Sequence, residues 1–156
     1  MSSKFEITFT GFEEVLQNLD SLEEAIDKEV KQAVMDCGLD LQKVASELAP
    51  LLESDLQGSG NTTEENNGQG YTVKVTFDSP YAKRRHEEPY RSGVHKEYNS
   101  AGVYVGDIID GRGPFTRSKP AIDGMAPGRK YLERPLKKYE QKYQDYVANK
   151  IKGVMK

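Results

Sequence analysis

The sequence predicts an α+β fold, a small and mostly antiparallel sheet packed against a long N-terminal helix and a C-terminal helix, with two long mobile loops. Three observations carry that expectation. Residues 22–48 place apolar side chains at steps of three and four, residues 71–78 alternate apolar with polar, and residues 132–151 return to helical spacing. The chain has 156 residues, within the range of about 100–200 for one domain, so residues 1–156 are read as a single unit. Apolar residues make up 36% and charged ones 30%, which leaves a modest core beneath a large polar or partner-facing surface.

The elements follow in order. Residues 4–9 set Phe5, Ile7 and Phe9 on one side of a half-buried strand. Thr10 and Glu13 have the spacing of a capping box opening a short helix over 11–19, and Ser21 and Glu24 repeat it. Leu22, Ile26, Val30, Ala33, Cys37, Leu41, Val44 and Leu48 then form one face of a long helix that Pro50 ends. Gly38 interrupts that helix at a cost of about 1 kcal/mol relative to Ala, and marks a bend or a close approach of another backbone.

Residues 51–70 turn to Gly, Ser, Asn, Thr, Gln and Glu, a composition that offsets little ordering entropy and reads as a mobile loop. Tyr71, Val73, Val75 and Phe77 alternate with polar partners in the clearest strand, which Ser79-Pro80 stops. Residues 81–88 fit two turns of helix before Pro89, and residues 102–109 read as another strand. Five glycines and three prolines between 106 and 128 make a second irregular loop. The closing basic helix keeps helical spacing at Leu132, Leu136, Tyr139, Tyr143, Tyr146 or Val147, and Ile151, with regular helix starting near Pro135, which is tolerated in a first turn. Its tyrosines read as the amphipathic edge of a core.

Cys37 is the one cysteine, which excludes an internal disulfide and a cysteine-built zinc site, and it reads as a small buried apolar residue. No stretch has the 18 or so apolar residues of a membrane span, and the N-terminus lacks the pattern of a secretory signal, so a cytoplasmic protein is expected. The net charge of −3 hides a gradient. Residues 1–70 carry 4 Lys/Arg against 15 Asp/Glu, whereas residues 128–156 carry 9 against 3. The gradient suits head-to-tail self-association or a polyanionic partner, and equally an acidic and a basic element that neutralise each other inside one fold.

His86, Glu87, Glu88 and His95 have metal-ligand chemistry, but the gap of nine between the histidines matches no helical metal signature, and solvated surface is the expected setting. Asp107, Asp110 and Asp123 sit among glycines where carboxylates ordinarily form turns. With no phosphate loop and no nucleophile elbow, neither an enzyme nor a cofactor is expected. Lys83, Arg84, Arg85, Arg91, Arg112, Arg117, Arg129 and Lys130 are the candidate interface or DNA-channel residues, with Tyr81, Tyr90 and Tyr98 interleaved. An accessory nucleic-acid-binding protein using the basic positions from residue 83 onward is the alternative function, although the pI near 5.5 departs from that of typical nucleic-acid modules.

The order of elements, with Ala49-Pro50, Leu56, the Pro80-Tyr81-Ala82 step and the run Gly-Arg-Lys-Tyr-Leu-Glu-Arg-Pro-Leu at 128–136, resembles the tail-completion or head-tail joining proteins of long-tailed bacteriophages and prophages, a minor capsid family. The matching stretches are Ile7–Leu19, Ala45–Ser59, Ser79–Glu87 and Gly128–Leu136, with Glu53-Ser54 standing where Thr-Gly is usual. The resemblance implies a structural adaptor, made in the host cytoplasm and carried in the virion. It would assemble as a sixfold homo-oligomeric ring between head connector and tail tube, its protein partners, with non-specific DNA contact in the channel and no membrane partner.

Overall fold

A computed structural model describes residues 6–9, 23–51, 55–66 and 71–155. In chain order these form β1 (Glu6–Phe9), α1 (Glu23–Leu48), α2 (Asp55–Gly58), β2 (Gly60–Asn66), β3 (Tyr71–Phe77), α3 (Ala82–Glu87), β4 (Val94–Tyr98), β5 (Tyr104–Ile109), α4 (Pro114–Ser118) and α5 (Glu133–Val154). The architecture is α+β, with two antiparallel sheets, β1-β3-β2 and β4-β5. The helix expected over 11–19 and the two capping boxes fall outside the described residues.

α1 is the central element. Its 26 residues span about 39 Å, and Ile26, Val30, Ala33, Cys37, Leu41, Ala45 and Leu48 are buried along it. On one side it meets the three-stranded sheet. Gly38 marks that approach, because a Cβ there would lie 2.5 Å from Val73 Cγ1 and 3.0 Å from Thr62 Cγ2. On the other side lies α5, whose buried residues Tyr139, Tyr143, Val147 and Ile151 keep the expected spacing. Tyr139 and Tyr143 bury their rings while Tyr146 stays exposed, and all three hand their hydroxyls to acids: Tyr143 to Asp40 at 2.8 Å, Tyr146 to Asp36 at 2.8 Å, and Tyr139 to Asp123. Lys142 adds an ion pair with Asp40 at 3.5 Å. Acidic α1 and basic α5 thus complement each other within the fold.

The composition of 51–70 conceals two elements, α2 and β2. β2 is a polar edge strand, paired in full register with β3 from Gly60↔Phe77 to Asn66↔Tyr71. Backbone pairing and two polar ties to α1 hold it, Gln42 Nε2 to the Gly60 carbonyl at 2.9 Å and Thr62 Oγ1 to Gln42 Oε1 at 2.6 Å. An edge strand needs no apolar alternation when only its backbone and one face are engaged. The expected 102–109 strand is β5, and its partner β4 lies in a segment that composition left unassigned.

Candidate interaction surface

The residue runs Ser79–Glu87 and Gly128–Leu136, far apart in sequence, are clamped together and to the end of α1. Tyr131 is fully buried. Its hydroxyl donates to the Ala82 carbonyl at 3.0 Å, and its ring meets Phe77 and His86 edge-on at 5.2 and 5.1 Å. The Gly128 amide donates to the Leu48 carbonyl at 2.8 Å, and Lys119 Nζ to the Ala49 carbonyl at 2.7 Å, so the last carbonyls of α1 are satisfied from elsewhere in the chain. Arg129 donates twice to the Glu87 carbonyl, at 3.2 and 3.1 Å.

His86 joins this clamp to α5. It is 0% exposed, so the expectation of solvated surface is corrected: it is a core residue that caps a helix. The Glu133 amide donates to Nε2 at 3.2 Å, which leaves Nδ1–H to donate to Glu87 at 2.8 Å. The remaining first-turn donors of α5 are also accounted for: Arg134 N–H reaches the Lys130 carbonyl, Leu136 N–H the Leu132 carbonyl, and Pro135 has none to satisfy. Burial lowers the His86 pKa below 6.5 and keeps the ring neutral. Hydrogen bonds from Lys130 and Lys137 hold Glu133 at about 2.

His86, Glu87 and Glu133 bring their ligand atoms within 4.8 Å of one another, the one such cluster of three among the described residues. Lys130 Nζ reaches both carboxylates, Glu87 at 2.5 Å and Glu133 at 2.8 Å. An ammonium therefore neutralises the acids, and both imidazole nitrogens are already engaged, so this donor set reads as a structural knot. Lys130 takes a left-handed backbone, φ 56°, to reach it. His95 is placed in β4, its Nε2 2.9 Å from the Ser92 carbonyl.

The clamp carries the β4–β5 hairpin. Asp110, at φ 46°, closes its base by exchanging 2.9 Å hydrogen bonds with the Gly93 backbone. At the tip Asn99 Oδ1 accepts from the Ala101 and Val103 amides. Arg117 braces the side by donating to the Asp107 and Arg112 carbonyls. This tied hairpin displays apolar surface to solvent: Val94 is 63% exposed, Val103 58%, Tyr98 52% and Tyr104 50%. Eight of the eleven exposed large hydrophobic side chains among the described residues fall between Tyr81 and Phe115. Such a concentration, on a two-stranded sheet whose outer edges pair with no described strand, makes this face the candidate for contact with another molecule.

The basic candidates divide into two groups. Arg117, Arg129 and Lys130 hold the fold, and Arg84 pairs with Glu88 at 2.9 Å. Lys83, Arg85 and Arg91 are exposed, and half-buried Arg112 offers its carbonyl to Arg117. Asp107, Asp110 and Asp123 bond to Tyr104, Gly93 and Tyr139 respectively, each in its own place. Two charged groups escaped the sequence reading. Glu97 fills the one buried position of β4, and Arg134 Nε and Nη2 are buried; neither Glu97 Oε2 nor these nitrogens has a hydrogen-bond partner. Only the interrupted alternation of 94–98 hinted at Glu97. No family model, curated protein or solved structure matches the chain.

Proposed function

We propose that the chain is a structural adaptor of long-tailed phage particles, a tail-completion or head-tail connector component that assembles as a ring between head connector and tail tube. The observation that carries the reading is the hairpin. It is braced at base, tip and side, yet exposes aromatic and aliphatic side chains and strand edges that no described strand pairs, the form expected of a contact completed by another protein. The pairing of acidic α1 with basic α5 is internal, so contacts between copies fall to the hairpin face and not to that charge gradient. The supporting resemblance lies in the Ala49-Pro50, Tyr81-Ala82 and Gly128–Leu136 motifs, which meet in the clamp that mounts the hairpin.

A second reading, an accessory nucleic-acid binder, draws on exposed Lys83, Arg85 and Arg91 beside exposed Tyr81, Tyr90 and Tyr98. Mass spectrometry of gradient-separated filled heads, free tails and complete virions separates the two. The adaptor reading expects a few copies in each complete particle. Absence from every fraction, together with soluble protein whose DNA affinity falls steeply with salt, supports the binder and overturns the adaptor.

A further inference from the structure

A cleft of about 280 Å³ lies between the hairpin and the end of α1, walled by Pro50, Leu51 and Leu56 and lined by Tyr81, Tyr98 and Glu97. Its neutral polar side chains are already paired. Thr116 exchanges hydrogen bonds with the Leu51 backbone, Ser79 Oγ accepts from the Tyr81 amide, and Asn99 Oδ1 serves the hairpin tip. Glu97 is the exception. It is 8% exposed, and its Oε2 has no hydrogen-bond partner. Arg85, exposed at the lip, and Arg117, which donates to the Asp107 and Arg112 carbonyls, both favour the ionised carboxylate through space, but neither forms a hydrogen bond or ion pair with it. A buried carboxylate without a partner costs stability, and a fold that keeps one completes it with a proton, a water or a cation. Aromatic rings lining the same cleft as the carboxylate, and an apolar wall, suit a cation on a hydrocarbon stem.

We propose that this cleft is a recognition site for a lysine or arginine side chain presented by a partner protein, with Glu97 as the counter-charge, Tyr81 and Tyr98 flanking the cation, and Pro50, Leu51 and Leu56 against the stem. The site stands independently of the assembly role. Charge complementarity selects the occupant: a neutral stem leaves Glu97 unpaired, and an acidic one repels it. Arg85 sets the threshold, because its charge must be displaced or outcompeted at the lip.

The test is titration of the full chain with Nα-acetyl-lysine N-methylamide, its arginine counterpart and the uncharged norleucine counterpart, reading the amide resonances of Asn99, Gly113 and Thr116. The proposal expects the cationic probes to bind at least tenfold more tightly than norleucine, Glu97→Gln to abolish that preference, and Arg85→Ala to strengthen it. It also expects Glu97→Gln to match or exceed the parent in chemical denaturation, because an isosteric amide removes a desolvated charge without breaking a bond. Equal binding of all three probes, absence of resonance shifts, or shifts that persist in Glu97→Gln would overturn it. So would destabilisation by both Glu97→Gln and Arg85→Ala, which would reveal an internal Arg85–Glu97 pair instead of a recognition site.

Discussion

Replacing Gly38 with Ala tests the placement of α1 against the sheet. In an open helix the substitution is favourable by about 1 kcal/mol. Here the new methyl would lie 2.5 Å from Val73 Cγ1 and 3.0 Å from Thr62 Cγ2, well inside contact distance. Val73 is fully buried and held in register from both sides, opposite Phe9 in β1 and Glu64 in β2, so the helix and sheet must separate instead. Overpacking of this kind costs about 1–3 kcal/mol. Set against the propensity gain, the net is destabilisation of up to about 2 kcal/mol, or about 2–4 °C in Tm per kcal/mol for a chain of this size. Thermal and urea unfolding of the parent, Gly38→Ala, Val73→Ala and the double variant supply the cycle. Val73→Ala alone costs about 2 kcal/mol through its cavity. In its background Gly38→Ala turns neutral or stabilising, because the obstructing Cγ1 is gone. A rise in Tm on Gly38→Ala in the parent would refute the close approach and the packing built on it.

Three further outcomes follow from the clamp and the helix pair. Unfolded His86 titrates near 6.5 and the folded ring lower, so the unfolded chain binds the proton first and stability falls as pH drops below about 6.5. Glu133, held at about 2 against 4.5 unfolded, adds stability above pH 4.5 that is lost between about 4.5 and 2. Urea midpoints from pH 7.5 to 2.5 should show both phases, with His86→Asn flattening the upper and Glu133→Gln the lower. Tyr143→Phe removes the 2.8 Å bond to Asp40 and should cost about 1–2 kcal/mol by chemical denaturation, whereas exposed Lys138→Ala should stay within about 0.5 kcal/mol. Cys37 is buried and its thiol is pushed up to about 11, mainly by burial. It should resist an aromatic disulfide reagent in the native chain at pH 8 and react fully in denaturant; rapid native labelling would contradict its place between α1 and α5.

The parts of the fold legible in the sequence are those whose apolar residues follow a single period. α1 and α5 each turn one face to the core, β3 keeps Val73, Val75 and Phe77 at alternate positions although Thr72 and Thr76 between them are buried as well, and Ile26, Val75 and Tyr143 sit where those periods put them. β2 was hidden because its cohesion is backbone pairing with β3, to which polar side chains such as Asn61 and Thr63 contribute no pattern. β4 was hidden for the opposite reason: its apolar residues Val94 and Tyr98 face solvent and its inward position is a glutamate. His86 showed its chemistry but not its setting. The partners that make it a buried cap, Tyr131 and the Glu133 amide, arrive from more than forty residues away. The acid–base gradient was visible, yet only the packing of α5 on α1 reveals that Asp36 and Asp40 answer Tyr146 and Tyr143 of the same chain.

The β4–β5 hairpin is the proposed assembly contact. Hydroxyl-radical footprinting of the free chain and of purified particles, read at Val94, Tyr98, Val103 and Tyr104, tests it directly. High reactivity is expected in the free chain and strong protection at all four positions in the particle, with exposed Lys150 and Lys152 of α5 little changed. Equal reactivity of the hairpin in both states, with protection confined to α5, would contradict it.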